Sequence, residues 1–224
     1  VYVPYLNIQA GKDLTMSGSI ILDSSAGSVG QVVTADASGV AYWAAAAGGN
    51  SLSGSNYIFV SGSGTEAENA TELTAAYTLA ASRSPNGVAK STTNRMTVLV
   101  APGNYDFTGA DFTAATDYVD ISSIDNNRSV YFSNATYTFS LTANDAKISG
   151  IDCGTKAFKV ATNLALVIVK NCKGGNNSYG TSETISGTYI DCEGHDTSFA
   201  GNGGTASGTF IRCKGGAGSN LGFG

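Results

Sequence analysis

Four cysteines, Cys153, Cys172, Cys192 and Cys213, recur at gaps of 19, 20 and 21 residues in the last third of the chain. A short β-type run leads into each of them, at residues 148–153, 166–172, 187–192 and 208–213. Three are followed by a charged residue and a glycine: Lys173-Gly174, Glu193-Gly194 and Lys214-Gly215. Such regularity means that one structural unit is reused, and a unit too small to bury its apolar face must stack on its neighbours. Zinc would need cysteines in close pairs, which this spacing does not supply. An antiparallel sandwich would bring strands back every ~8–12 residues. A right-handed parallel β-helix brings equivalent residues back once per coil, stacked at about 4.8 Å, and fits the period. Counting alternate positions back from the cysteines puts Ile151, Ile190 and Ile211 in one inward column and Cys153, Cys192 and Cys213 in another. Asp152, Asp191 and Arg212 then point outward. The coil ending in Cys172 breaks the count, because it would turn Lys170 inward at the cost of burying a charge. A one-residue bulge there, with Val169 taking the inward place, restores it.

Composition agrees with β-structure rich in tight turns. Only 13% of the 224 residues are charged, and 29 are glycine. A net charge of −5 and a pI near 4.7 offer nothing to a phosphate backbone, which argues against nucleic-acid binding. The longest apolar run, residues 164–169, is far too short for a membrane-spanning helix. The sequence shows no signal-peptide pattern, and both ends read as cuts through a longer polypeptide.

Three parts follow one another along the chain. In residues 1–50, Leu14, Met16, Ile20 and Leu22 alternate with polar positions as one strand face, and residues 30–34 and 40–43 flank a turn as a hairpin. So few large apolar residues cannot offset the entropy of ordering this segment alone, so it is expected to intertwine with copies of itself. Residues 51–64 read as a linker interrupted by the β-type stretch 57–60. From residue 65 onward the chain reads as a capping helix over 66–82 and a β-helix continuing beyond 224. Thr65 and Glu68 form a capping box, and Ala70, Leu73, Ala76, Tyr77 and Ala80 share one helix face. A β-helix exposes its end coil, and this helix stands where it can cover it. The class is therefore all-β, a right-handed parallel β-helix with an N-terminal capping helix, preceded by an intertwined β-stalk.

Two stretches resemble known families. Residues 27–43, Gly-Ser-Val-Gly-Gln-Val-Val-Thr-Ala-Asp-Ala-Ser-Gly-Val-Ala-Tyr-Trp, resemble the G-x-x-G-Q-V-L-T-x-D-G-S-G-x-x-x-W segment of bacteriophage tail fibres. The helix followed by Val98-Leu99-Val100-Ala101-Pro102-Gly103-Asn104-Tyr105 is similar to the opening of pectate-lyase-like β-helices in phage tailspikes, where a helix precedes V-x-V-x-P-G-x-Y. The resemblance implies a homotrimeric virion appendage, joined to other tail proteins through its N-terminal segment and binding a host surface glycan or receptor. It implies neither cofactor nor membrane anchor. The alternatives are an enzymatic tailspike, acting as polysaccharide lyase or glycoside hydrolase, and a bacterial β-helical surface adhesin. Assembly in a reducing cytoplasm favours four free thiols.

Glycan cleavage in this architecture uses paired carboxylates, one acid and one base or nucleophile. The candidates are Asp152, Asp191 and Glu193, with the only histidine, His195, beside them. If Asp152 and Asp191 occupied one column two coils apart, they would be roughly 9–10 Å from each other, at or beyond the upper end of the inverting range. The same acids also suit a solvated turn or an edge guarded against pairing. Tyr189 and Phe210, placed on the outside by the same count, would form a sugar-stacking ladder or simply stack between coils. Residues 125–127 carry calcium-type side chains without EF-hand spacing, so no metal site is assigned.

Overall fold

The repeat of about twenty residues is one coil of a parallel β-solenoid. The computed structural model describes residues 56–107, 111–133, 138–180 and 184–219, together with the strands Gln31–Ala35 and Ala41–Ala45. The chain divides into two units, residues 1–49 and 50–224. In the first, Gln31–Ala35 and Ala41–Ala45 pair antiparallel with Val33 opposite Trp43, which is the expected hairpin. The expected strand at residues 14–22 lies outside the described residues.

The second unit is the solenoid, of about 5 turns. Its longest face stacks seven strands in the order Tyr57–Val60, Met96–Val100, Val119–Ser123, Lys147–Ser149, Ile168–Lys170, Thr188–Ile190 and Thr209–Ile211. All pair parallel and in register. A second face stacks Gly103–Tyr105, Val130–Phe132 and Ile151–Asp152. Single parallel bridges through Lys173, Glu193 and Lys214 continue it. A third face stacks Phe112–Ala114, Phe139–Leu141 and Phe158–Val160. Tyr57–Val60, which the sequence places in a linker, is thus the end strand of the longest face. The helix is spliced into the chain between it and the next strand.

Inward columns fill the core. Ile58, Val98, Ile121, Ile148, Val169, Tyr189 and Phe210 succeed one another along the longest face. Opposite them, Phe139, Phe158, Tyr179 and Phe199 stack at successive centroid distances of 4.5, 5.1 and 4.6 Å. Offset-stacked rings add stabilisation beyond the apolar area they bury.

Two sequence-based columns need correction. Tyr189 is buried and Phe210 packs inward, stacked on it at 5.1 Å, whereas Ile190 is half-buried and Ile211 is exposed. The cause is a left-handed corner just before the inward column, at Asn171 (φ 51°), Asp191 (54°) and Arg212 (50°) before their cysteines and at Gly150 (77°) before Ile151. Such a corner breaks strict alternation, so counting back through it inverts the faces. The same corner exposes Lys170 and buries Val169 without any bulge. The register is also offset at the first cysteine. Asp152 bridges Lys173, so it is Ile151 that stacks under Cys172, and the column runs Ile151, Cys172, Cys192, Cys213. Cys153 sits two residues further on, which is why its gap was 19 residues.

All four cysteines are free and buried. Burial pushes the Cys172 thiol up to about 12 and raises Cys153 and Cys192 as well, which removes the reactive thiolate. In native protein Cys153, Cys172 and Cys192 are therefore expected to resist an alkylating reagent at pH 7, whereas Cys213, lowered to about 7 by its hydrogen bond with the Cys192 thiol, is the one expected to react first. Denatured, never-reduced protein should take four labels per chain, and fewer would reveal a disulfide.

The helix Glu66–Ser82 carries the expected capping box: Thr65 Oγ1 accepts from the Glu68 amide, and Glu68 Oε2 accepts from the Thr65 amide at 2.8 Å. Ala70, Leu73, Ala76, Tyr77 and Ala80 are all buried in the solenoid core. Buried Asn69 clamps the helix down, donating from Nδ2 to the carbonyls of Gly62 and Asn104 and accepting at Oδ1 from the Gly64 amide. Lys90 Nζ donates to the carbonyls of Ala81 and Arg83, satisfying groups that the last turn leaves open.

Candidate functional site

The candidate acids lie on a ridge where the second face meets the left-handed corner. Tyr131, Asp152, Lys173, Glu193 and Lys214 succeed one another across the coils, so charges of opposite sign become neighbours from Asp152 onward. Two positions earlier in each coil, on the other side of the cysteine, Asn171, Asp191 and Arg212 form a second row. Asp152 and Asp191 therefore occupy different rows, and the single column assumed for them from sequence does not exist. Asp152 shares its row with Glu193.

Most of these carboxylates are committed to partners. Arg212 grips Asp191 with two parallel bonds, Nε to Oδ1 and Nη2 to Oδ2, both 2.6 Å. That grip holds the Asp191 carboxyl below its ordinary range. Arg128 reaches across from an earlier coil, donating from Nη1 to Glu193 Oε2 at 2.7 Å and from Nη2 to the Asp191 carbonyl at 2.7 Å. The hydrogen bond from Arg128, aided by the charges of Lys173 and Lys214, pulls the Glu193 carboxyl down. Asp152 Oδ1 accepts from the Gly154 amide at 2.7 Å and closes a local turn. His195 is exposed; its backbone amide donates to the Gly175 carbonyl.

This arrangement is poor acid–base machinery. A general acid must hold its proton near neutral pH, which demands a raised carboxyl pKa. Both Asp191 and Glu193 are shifted the other way. What the ridge does well is join coils: Arg128–Glu193 and Arg212–Asp191 each tie residues far apart in sequence. The sequence did not single out Arg128, because nothing in the local pattern announces a partner 65 residues away.

Tyr189 is fully buried and so is not a surface for stacking sugars; Phe210 is partly exposed only because it lies in the outermost described coil. Asp125 is also explained. Its Oδ1 accepts from Ser123 Oγ, the Asn127 amide and Ser129 Oγ, which closes a turn. Among the described residues no group of His, Cys, Asp or Glu is arranged to hold a metal ion.

The ridge makes a pH prediction. The Glu193 pKa is lowered in the folded chain, so its pair is fully made above the ordinary value of 4.5 and is lost as pH falls through the folded value. Both partners are about one-third exposed or less, at 33% for Glu193 and 27% for Arg128. The contribution is therefore modest, about 0–1 kcal/mol. Glu193→Gln is expected to lower Tm slightly at pH 7, and the gap from the parent should close as the pH falls below 4.5 through the lowered folded value. A gap that widens in acid would contradict this account of the pair.

Compared with family models, with curated proteins and with solved structures, the chain matches none.

Proposed function

We propose that this chain is a structural and receptor-binding part of a bacteriophage tail fibre, assembled as a homotrimer, displayed on the virion, and turned toward a host surface glycan. The observation that carries this reading over the enzymatic tailspike is the state of the candidate acids. Asp191 and Glu193 are held ionised by Arg212 and Arg128, in bonds that join coils and leave neither poised as a proton donor. A shaft needs many small ties between coils, and the ridge provides them. The resemblance of residues 27–43 to phage fibre segments supplies the virion context. Their hairpin has few large apolar residues to bury, which favours self-association.

Light scattering on the full chain tests the assembly. The expected mass is three times the 22.7 kDa of one chain. A well-ordered monomer at micromolar concentration would overturn the fibre reading. Release of reducing ends from host surface polysaccharide would instead establish the enzymatic alternative.

A further inference from the structure

Cys192 and Cys213 occupy the same position on successive coils. Ile190 pairs with Ile211 before them, and Glu193 bridges Lys214 after them. Between those points the Lys214 amide donates to the Cys192 carbonyl at 2.8 Å. The two α-carbons therefore stand one strand spacing apart, about 4.8 Å. That lies inside the ~4.4–6.8 Å range that a disulfide spans. Both side chains turn the same way into the core. Cys192 Sγ lies 3.4 Å from the Ile190 carbonyl, and Cys213 Sγ lies 3.5 Å from that of Ile211. Cys213 Sγ also lies 3.4 Å from the Tyr189 carbonyl of the preceding coil, which brings it toward Cys192.

The two thiols differ in state and in access. Burial pushes Cys192 up, whereas the hydrogen bond with the Cys192 thiol holds Cys213 below its ordinary value. A thiolate beside a thiol is the starting arrangement for disulfide exchange, with one sulfur to attack and one to resolve. Cys213 is also the least enclosed of the four, at 4% exposed against 0–1% for the rest. No described coil lies beyond its own. Cys172 adjoins Cys192 on the other side, but it is wholly enclosed and burial pushes it up to about 12, so it does not compete.

We propose that Cys192 and Cys213 form a redox-sensitive pair, which a small disulfide of the glutathione class closes into a covalent tie between the last two described coils. The Cys213 thiolate attacks one sulfur of the small disulfide, and the other sulfur leaves as a thiolate. Cys192 Sγ then attacks Cys213 Sγ, passes its proton to a departing sulfur and releases the second small thiol. Two protein thiols are oxidised, and one small disulfide is reduced to two thiols. A reducing compartment leaves the pair open, and an oxidising one closes it. The proposal does not depend on the fibre reading.

The test incubates the full, folded chain with oxidised glutathione at neutral pH, quenches in acid, then denatures and alkylates without reduction. Mass spectrometry is expected to find two labels where the untreated chain, with its four free thiols, takes four. It should also find a proteolytic fragment that joins Cys192 to Cys213. Cys192→Ser is expected to stop at one glutathione adduct on Cys213, and Cys172→Ser should still form the tie. The linked fragment of the parent chain decides the pairing even where a variant folds poorly. Four labels after oxidation, or a linked fragment that contains Cys153 or Cys172, would overturn the proposal.

Discussion

Arg95→Ala is expected to cost about 3–5 kcal/mol of stability, the largest loss from any single charged residue in the solenoid. Arg95 lies just before Met96–Val100, and its guanidinium spans the two coils that follow. Nε and Nη2 grip Asp120 at 2.8 and 2.6 Å, and Nη1 reaches Asp145 at 2.8 Å. Asp120 also accepts from the Lys147 amide at 2.8 Å. The site is nearly dry: the side chains are 11% exposed for Arg95 and 10% for each aspartate. Burial acts to lower the Arg95 pKa, but the hydrogen bonds it donates to Asp120 and Asp145 outweigh it and raise the value above ordinary arginine. Removing the guanidinium would leave two carboxylates facing each other without a counter-charge. Arg95→Lys keeps the charge but cannot reproduce the fork, so it should fall between alanine and the parent. Denaturant unfolding measures the loss, and a change below about 1 kcal/mol would mean that the network is an exposed surface feature.

Leu73→Asp should be as damaging, by a different route. Leu73 is completely buried on the face that the helix turns to the core. A carboxylate there must be desolvated without a partner, and the helix should lift from the strands it covers. The uncovered apolar end of the solenoid then becomes an aggregation surface. Ala67→Asp is the control, since Ala67 is exposed in the first turn of the same helix, where a negative charge suits the helix dipole. Loss of soluble protein only in the Leu73 variant is expected. Two equally soluble and stable variants would show that the helix does not act as a cap.

The helix was legible because all its signals are local. Thr65, Glu68 and the apolar positions from Ala70 to Ala80 lie within a few turns and need no knowledge of the rest of the fold. The coil period was legible because it is repeated. The inward face was not, and the reason is confined to one residue per coil. Alternation holds only while the backbone stays extended, and Asn171, Asp191 and Arg212 leave it. Asn and Asp before the cysteines were a usable sign, since both tolerate the left-handed region; Arg212 gave no such warning. The sequence carries a second periodic signal. Phe139, Phe158, Tyr179 and Phe199 recur at nearly the cysteine period and mark the third face. At the ridge, the charged residue types are legible in the sequence, but their pairing is not. Arg128 and Glu193 meet only because intervening coils stack in register, and a local pattern holds no record of that.

Deleting one coil tests the in-register stacking most directly. Lys170 aligns with Ile190, so removing residues 171–190 joins Lys170 to Asp191 and puts Asp191 where Asn171 stood. Both positions use the same left-handed corner, at φ 51° and 54°. The Phe158 ring would then meet Phe199 in place of Tyr179. In a solenoid each coil packs mainly on its neighbours, so a whole coil can be lost while the remainder closes up, with the Arg128–Glu193 pair spanning one coil fewer. The measurement is thermal unfolding followed by circular dichroism. The shortened chain is predicted to keep its β signal and a single cooperative transition at a lowered Tm, while removal of residues 171–180 alone should abolish that cooperativity. Equal tolerance of both deletions, or collapse of the 171–190 variant, would contradict the in-register solenoid.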